Sequence, residues 1–328
     1  MISLAFISFL ICIFMWTVLT IPMIRGRYSR FRSCITKRRM CLVGDASLYN
    51  IDVTEEHPKV VETTLKHCVH VAKYIKHNSI ASHTVNAFKE ADIFIKNHYG
   101  NDQNKIVILD SGCGKGLSTI SLAAKYPNIP IIGIDKSLHR LSHNRLYRDA
   151  IEEDIVNYDD HESNKAIVGD AQVTQKVDDQ SNVLFVRAEL SDFWLLVSQS
   201  DWIIHSHYLL YPNPYPKSKH LARRWHCHPS FPFILALSGT LIVRSNWETY
   251  CQEMFLALNA IIKEKALSNL PAVINSVCEY YPTLDGVNKY MTHFERKYIL
   301  AGVKVYELKV DLGSKSLPER LKMLYLTE

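Results

Sequence analysis

The 328-residue sequence contains no Cys-x-x-Cys pair, and its eight cysteines, at 12, 34, 41, 68, 113, 227, 251 and 278, are scattered. That spacing excludes a zinc ribbon and a disulfide framework. Several of the cysteines fall in apolar runs, where cysteine behaves as a small hydrophobe, so a reducing compartment is expected for the folded body. Acid is missing from residues 1–40, which carry seven Lys or Arg, and Met1 to Ile24 carries no charge at all. Core helices seldom run so long without polar punctuation. Residues 1–40 are therefore expected to be a leader outside the folded body. One reading is a signal anchor with its basic flank held cytoplasmic, giving membrane association through residues 1–24. The other is a signal peptide followed by a basic, hydroxylated transit segment, a two-part leader that resembles those of secondary-plastid proteins and implies an organelle. The lack of a small-x-small cleavage site favours the anchor; the acid-free basic tail favours the transit segment.

What is present divides the rest of the chain. The sequence is 47% hydrophobic, enough for a sizeable core. Its formal net charge of +5 is uneven, because residues 151–180 hold nine acids against two lysines. With little periodicity, that span is expected to be an inserted, largely disordered acidic loop. The body apart from it is modestly basic, which admits a nucleic-acid partner. Residues 41–104 are expected to be a linker and N-terminal helices (57–76 and 85–98), 105–310 the main domain, and 311–328 a C-terminal tail.

The main domain is organised around residues 106–135. The apolar run Ile106 to Leu109 ends in Asp110, and a turn follows: Gly112-Cys113-Gly114-Lys115-Gly116. Leu117, Ile120, Leu122 and Ala123 then recur at helical spacing, and a second apolar run, Ile129 to Ile134, ends in Asp135. Strand, glycine turn, helix, strand and acid together predict an α/β, Rossmann-like nucleotide fold. Glycines let backbone approach a ligand closely, and the acid can accept hydrogen bonds from two ribose hydroxyls. Two other phosphate motifs are missing: the turn is not G-x-G-x-x-G, and no G-K-S/T follows it. Instead, D-S-G-C-G-K-G resembles the E/D-x-G-x-G-x-G signature of S-adenosylmethionine (SAM) methyltransferases.

Ser137 is the predicted N-cap of a helix over 137–150. Further strands are expected at 183–186, 202–205, 240–243, 275–281 and 303–309, with helices at 231–237 and 248–265. Lys136 follows Asp135, and Ala188 and Glu189 follow the third strand; an acid there suits the adenine side of a SAM site or a helix start. The loop past the fourth strand reads YPNPYPKSKHLARRWHCHP, residues 211–229. Its prolines exclude helix and central strand, and substrates bind at this edge of open α/β sheets. Asn213 and Tyr215 bring an amide and a ring there. Lys217, His220, Arg223 and Arg224, with Trp225 among them, suit phosphate contact and base stacking. No metal site is expected from His67 and His70, which no Cys or carboxylate completes, nor from the adjacent His226-Cys227-His228.

Over roughly 105–310 these motifs resemble the tRNA (guanine-N7)-methyltransferase family, the TrmB-like enzymes. That family carries a loop of the form F-P-D-P-W-P-K-K-R-H-x-K-R-R, then T-D-W-x-x-Y, then T-x-F-E-R-R/K. The matching residues here are Tyr211 to Lys217 with His220, Arg223 and Arg224; Ser245 to Tyr250; and Thr292 to Lys297. Asn213 and Asn246 stand where the family has aspartates, so the chain looks like a divergent branch. The resemblance implies a class I SAM-dependent methyltransferase with a seven-stranded, mostly parallel sheet, acting on a tRNA variable-loop guanine as a monomer or homodimer. It implies Asn213, Thr292 and Glu295 at the acceptor base, Asp110, Gly112, Gly114, Gly116, Asp135, Lys136, Ala188 and Glu189 at the cofactor, and Tyr215, Lys217, His220, Arg223, Arg224 and Asn246 on RNA. Two alternatives stay open. Asn213-Pro214-Tyr215 is similar to the N/D-P-P-Y/F loop of amino methyltransferases, and a relict, non-catalytic RNA-binding fold would keep the same basic strip.

Overall fold

Apolar runs buried on both faces make the strands, and alternate residues feed two cores. In the computed structural model, residues 55–100, 105–144, 175–176, 182–263, 273–282 and 290–325 are described. They belong to one unit, Tyr49–Glu328. The expected leader and all of the acidic segment except 175–176 lie outside the described residues. Among the described residues, no helix is long and apolar enough to cross a membrane.

Three helices come first: α1 (Val60–Val69), α2 (Val71–His77) and α3 (Ser82–Tyr99). The single helix predicted over 57–76 is thus two, broken at His70. The central unit follows as β1 (Ile106–Ser111), α4 (Leu117–Lys125), β2 (Ile131–Asp135) and the one-turn α5 (Leu138–Leu141). Ser137 caps α5 as predicted, its Oγ accepting the Arg140 N–H at 3.3 Å, but the helix expected over 137–150 gives way to a turn and bend over 142–144. Next come β3 (Gln175–Lys176), β4 (Val183–Arg187), α6 (Leu190–Ser198) and β5 (Ile203–Leu210). The proline-rich loop turns through 3₁₀ segments at Ser218–Arg223 and Trp225–Cys227 into α7 (Phe231–Ala236). The chain closes with β6 (Thr240–Ser245), α8 (Glu248–Lys263), β7 (Val273–Ile274), β8 (Cys278–Glu279), α9 (His293–Leu300), β9 (Tyr306–Asp311) and α10 (Leu317–Tyr325).

The sheet runs β3-β4-β2-β1-β5-β6-β9-β7, with β8 also on β9. From β4 to β6 the strands are parallel; β9 is antiparallel to β6. This is the expected mostly parallel sheet with two differences. In place of the single strand expected at 275–281, two short pieces pair with β9, β7 lying before that span and β8 within it, and the acidic span contributes the two-residue edge strand β3. Val107 and Leu109 face one core and Ile108 the other, as period-two alternation requires. The larger core also takes Val60, Ala91 and Ile95 from the N-terminal helices and Leu324 from the tail. Four of the described cysteines are buried free thiols; burial pushes Cys68 and Cys227 up to about 12, so they are inert hydrophobes.

Register sets the functional edge. Ser111 at the end of β1 pairs with Leu209, Leu210 with Arg244, and Arg244 with Glu307. The carboxyl ends of β1, β5 and β6 therefore open on one rim, with the glycine turn and the proline loop both leaving from it.

Candidate active site at the carboxyl edge of the sheet

The glycine turn is built by backbone geometry. Gly112, Gly114 and Gly116 have φ of +80°, +61° and +80°, where a side chain would be strained. The N–H groups of Gly112 and Cys113 both bond to the Ile134 carbonyl, at 2.7 and 3.0 Å, which folds the turn over the end of β2. A Cβ on Gly112 or Gly114 would meet nothing within 4 Å, so both present open backbone. Gly116 is different: a Cβ there would overlap the Asn144 amide and come within 2.6 Å of the Phe185 ring. Asp110, expected at the cofactor, is instead 1% exposed behind the turn. Its carboxylate accepts from Ser118 and Thr119 Oγ at 2.6 Å each, which pins the first turn of α4 to β1. Burial pushes Asp110 up to about 6, partly offset by those two hydroxyls.

Asp135 is where the pattern put it. One carboxylate oxygen accepts the Gly114 N–H at 3.0 Å; the other accepts the Ser137 N–H at 2.8 Å. That second oxygen also takes Arg140 through Nε at 3.2 Å and NH2 at 2.8 Å. The Arg140 side chain is half exposed, so it covers the acid from the solvent side. Ala188 is buried, its N–H on the Asp135 carbonyl at 3.2 Å. Lys136 and Glu189 are exposed and 3.9 Å apart, next in sequence to Asp135 and Ala188. Open glycine backbone with an aligned carboxylate fits a ribonucleoside such as that of SAM.

The acceptor side differs more from expectation. Tyr211 and Tyr215 adopt φ of +53° and +45°, unusual for bulky side chains. Asn213 is exposed, and its Oδ1 accepts the Tyr215 N–H at 3.2 Å, a local turn. Thr292 is the N-cap of α9, its Oγ1 accepting the Glu295 N–H at 2.9 Å. Glu295, expected to meet a base, is fully buried. Its carboxylate takes the Met291 N–H at 3.0 Å, the Tyr211 hydroxyl at 3.2 Å and Arg244 at 3.3 Å. It therefore holds Tyr211 in place and does not face the cleft. Arg244 is also held by Glu307 at 2.7 Å and lies 3.7 Å from the centre of the Tyr280 ring. Burial, then Glu295, pushes the Tyr211 hydroxyl above its ordinary value, keeping it a neutral donor.

The basic strip divides in two. Lys217, Lys219 and Arg223 are exposed, and Arg223 lies over the Tyr215 ring at 5.8 Å. His220 is held below its usual value, by partial burial first and then by Arg223, Lys219 and Lys217. Arg224, expected on a phosphate, is 1% exposed. One of its nitrogens bonds both oxygens of buried Glu253 at 2.5 Å, and the rest of the fork takes the Tyr215 and Pro216 carbonyls at 3.1 to 3.3 Å. The expected RNA contact is thus a structural bracket that shapes the loop from beneath. Asn246 is half-buried, just past β6.

Residues 104–308, more than half of the chain, match a protein family described as "Putative methyltransferase". The chain belongs to this methyltransferase family, the one its motifs resemble. The donor it uses is S-adenosylmethionine. Solved structures similar to the chain include an "Antibiotic Related Methyltransferase", 18% identical over 70% of this chain and 94% of that one, with a TM-score of 0.41. Another is the 16S rRNA methyltransferase KamB, 14% identical over 73% and 95%, TM-score 0.37. A third is the 16S rRNA (adenine(1408)-N(1))-methyltransferase of Catenulisporales acidiphilia, 14% identical over 68% and 93%, TM-score 0.36. At these values the likenesses decide nothing about the reaction. No curated protein matches the chain.

Sequence reasoning missed several parts of this methyltransferase's site. Arg140 carries no motif, although it lies five residues after Asp135, in the first turn of the helix that Ser137 caps. Glu253 left a clearer trace: an acid beside Tyr250, Met254 and Ala257 on the apolar stripe of α8.

Proposed function

We propose that the chain transfers the methyl group of SAM to N7 of a guanine in tRNA. The observation that carries this reading is the shared rim: the open glycine turn, the proline loop and the N-terminus of α9 meet where β1, β5 and β6 end. The Tyr211–Glu295 hydrogen bond ties two of these together. Cys113 of the turn and Met291 beside Thr292 belong to one apolar cluster.

When bound, SAM supplies an electrophilic methyl on a sulfonium. Guanine N7 is a bare lone pair, so no proton leaves before attack and no strong general base is needed. What the chain must supply is in-line positioning. Asp135 is placed to hold the ribose once Arg140 yields, and Lys217, Lys219 and Arg223 form a cationic rim for phosphates. Asn213 accepts the Tyr215 N–H on one lone pair of its oxygen, and its NH2 group remains to donate to a base. That donor matches the acceptor edge of guanine, O6 beside N7.

The test is methylation of unmodified tRNA by the full chain, with the product nucleoside identified. 7-Methylguanosine supports the proposal. Label on another atom replaces it with a different RNA methylase, and no label with no heat of SAM binding favours the relict reading.

A further inference from the structure

We infer that Tyr211, Phe294 and Tyr298 form a stacking platform for a nucleobase of the substrate. The inference rests on the RNA reading above and names a subsite within it. Phe294 and Tyr298, one turn apart on α9, lie with ring centroids 6.1 Å apart and planes at 23°. The Tyr211 ring is 5.7 Å from Tyr298 and 6.4 Å from Phe294. Phe294 is 54% exposed, a large apolar ring open to water and backed by two others.

Three features separate this patch from a stray surface phenylalanine. First, its position is enforced. Tyr211 is held at φ +53° by its hydroxyl on Glu295 and its N–H on the Arg244 carbonyl at 2.8 Å. Backbone strain of this kind persists only where surrounding structure imposes it. Second, the residue that aims Tyr211 also aims Phe294. Burying Glu295 fixes the rotation of α9 and turns its neighbour Phe294 outward. Third, the exposed charge carried by α9 has one sign. Arg296 and Lys297 of α9 are exposed, and the one acid of that helix is the buried Glu295. Cations beside an exposed aromatic face suit a polyanion that carries flat bases, because every base has a π-face. Tyr211 begins the proline loop at the end of β5, so a base on this platform sits at the acceptor side of the rim.

The experiment compares the full-length wild type with Phe294→Ala and Phe294→Trp, using an unmodified tRNA transcript. The expected result for Phe294→Ala is a KM for tRNA raised at least about fivefold, the low end for losing one stacked base. SAM affinity and melting temperature should stay unchanged, since the ring is largely exposed. Phe294→Trp should restore the KM, and its extra emission relative to wild type should be quenched by saturating tRNA. A wild type that methylates tRNA while Phe294→Ala keeps the same KM overturns the platform alone. A wild type that neither binds nor methylates RNA overturns the functional reading and the platform with it. A change of oligomeric state in Phe294→Ala, with the KM for tRNA unmoved, would assign the patch to a contact between copies and likewise overturn the platform.

Discussion

Arg223 and Arg224 are adjacent in sequence, yet one is exposed and the other buried, and replacing each with alanine separates their parts. Arg224 is 1% exposed, and its partner Glu253 is fully buried. Removing the arginine leaves a buried carboxylate with only His226 at 3.0 Å and the His57 N–H at 2.8 Å. Breaking a buried pair by deleting one partner costs about 3–5 kcal/mol. For a domain of this size about 2–4 °C of melting temperature goes with each kcal/mol, so Arg224→Ala should melt roughly 6–20 °C lower. Arg223→Ala touches an exposed cation and should stay within about 0.5 kcal/mol of wild type. The assay pairs thermal unfolding with tRNA binding measured well below the melting transition and at two salt concentrations. Arg223→Ala should weaken binding and flatten its salt dependence by about one counterion. Burial alone would raise the Glu253 pKa, but His226, the His57 N–H and Arg224 outweigh it and hold the carboxyl below its usual value. The pair's contribution is therefore present above about pH 4.3 and lost as the pH falls below it. If Arg224→Ala melts within about 2 °C of wild type while losing affinity for tRNA, the bracket reading is wrong and Arg224 belongs to the RNA surface.

Three further outcomes follow from the cofactor side. Gly116→Ala should abolish SAM binding in calorimetry or prevent folding, because its Cβ would overlap the Asn144 amide and Phe185 ring; Gly114→Ala, strained but unobstructed, should weaken binding less. Arg140→Gln should tighten SAM by up to about fivefold, since a half-exposed pair is worth about 0.2–1 kcal/mol and it competes with the ribose for Asp135; a weakened affinity would make Arg140 a ligand contact instead. Asp110, raised to about 6 in the fold, contributes stability that is complete below its unfolded pKa and lost as the pH rises through 6. Over that window of about two units the loss is about 3 kcal/mol, so denaturant titrations of Asp110→Asn between pH 4 and 7 should lack it. Equal slopes for the two proteins would mean that Asp110 ionises freely.

Local pattern was enough wherever one residue type answers one physical demand. Three glycines in left-handed backbone, an acid ending β2 and a hydroxyl capping α5 have few substitutes, and the structure places all of them as the spacing predicts. Prediction went astray where a polar group's role depends on which way its element rotates. Glu295 follows Thr292 at the spacing of a capping box, and that spacing does announce the helix start. It does not say whether the carboxylate points out to a base or in toward Arg244. Arg224 could be read only as one more cation in a basic strip, because its partner Glu253 lies 29 residues ahead on another helix. Asp110 looked like a ligand group for a similar reason: its hydroxyl partners on α4 come into reach only once the turn is closed.

The two strained tyrosines show how such hidden partners bear on function. Tyr211 and Tyr215 bracket Asn213, and each is held from below by a buried charge, Tyr211 by Glu295 and the Tyr215 carbonyl by Arg224. Each charge is neutralised in turn: Glu295 by Arg244, which Glu307 also holds, and Arg224 by Glu253. Removing either bracket would release one end of the loop. Left-handed backbone costs roughly 1–2 kcal/mol for a residue with a side chain, so the freed tyrosine would relax and carry Asn213 away from the rim. For the proposed N7 transfer, which would depend on in-line approach rather than proton transfer, a displacement of about 1 Å can cost about a hundredfold in rate. The buried ion pairs thus act at a distance from the chemistry, by fixing where the loop stands.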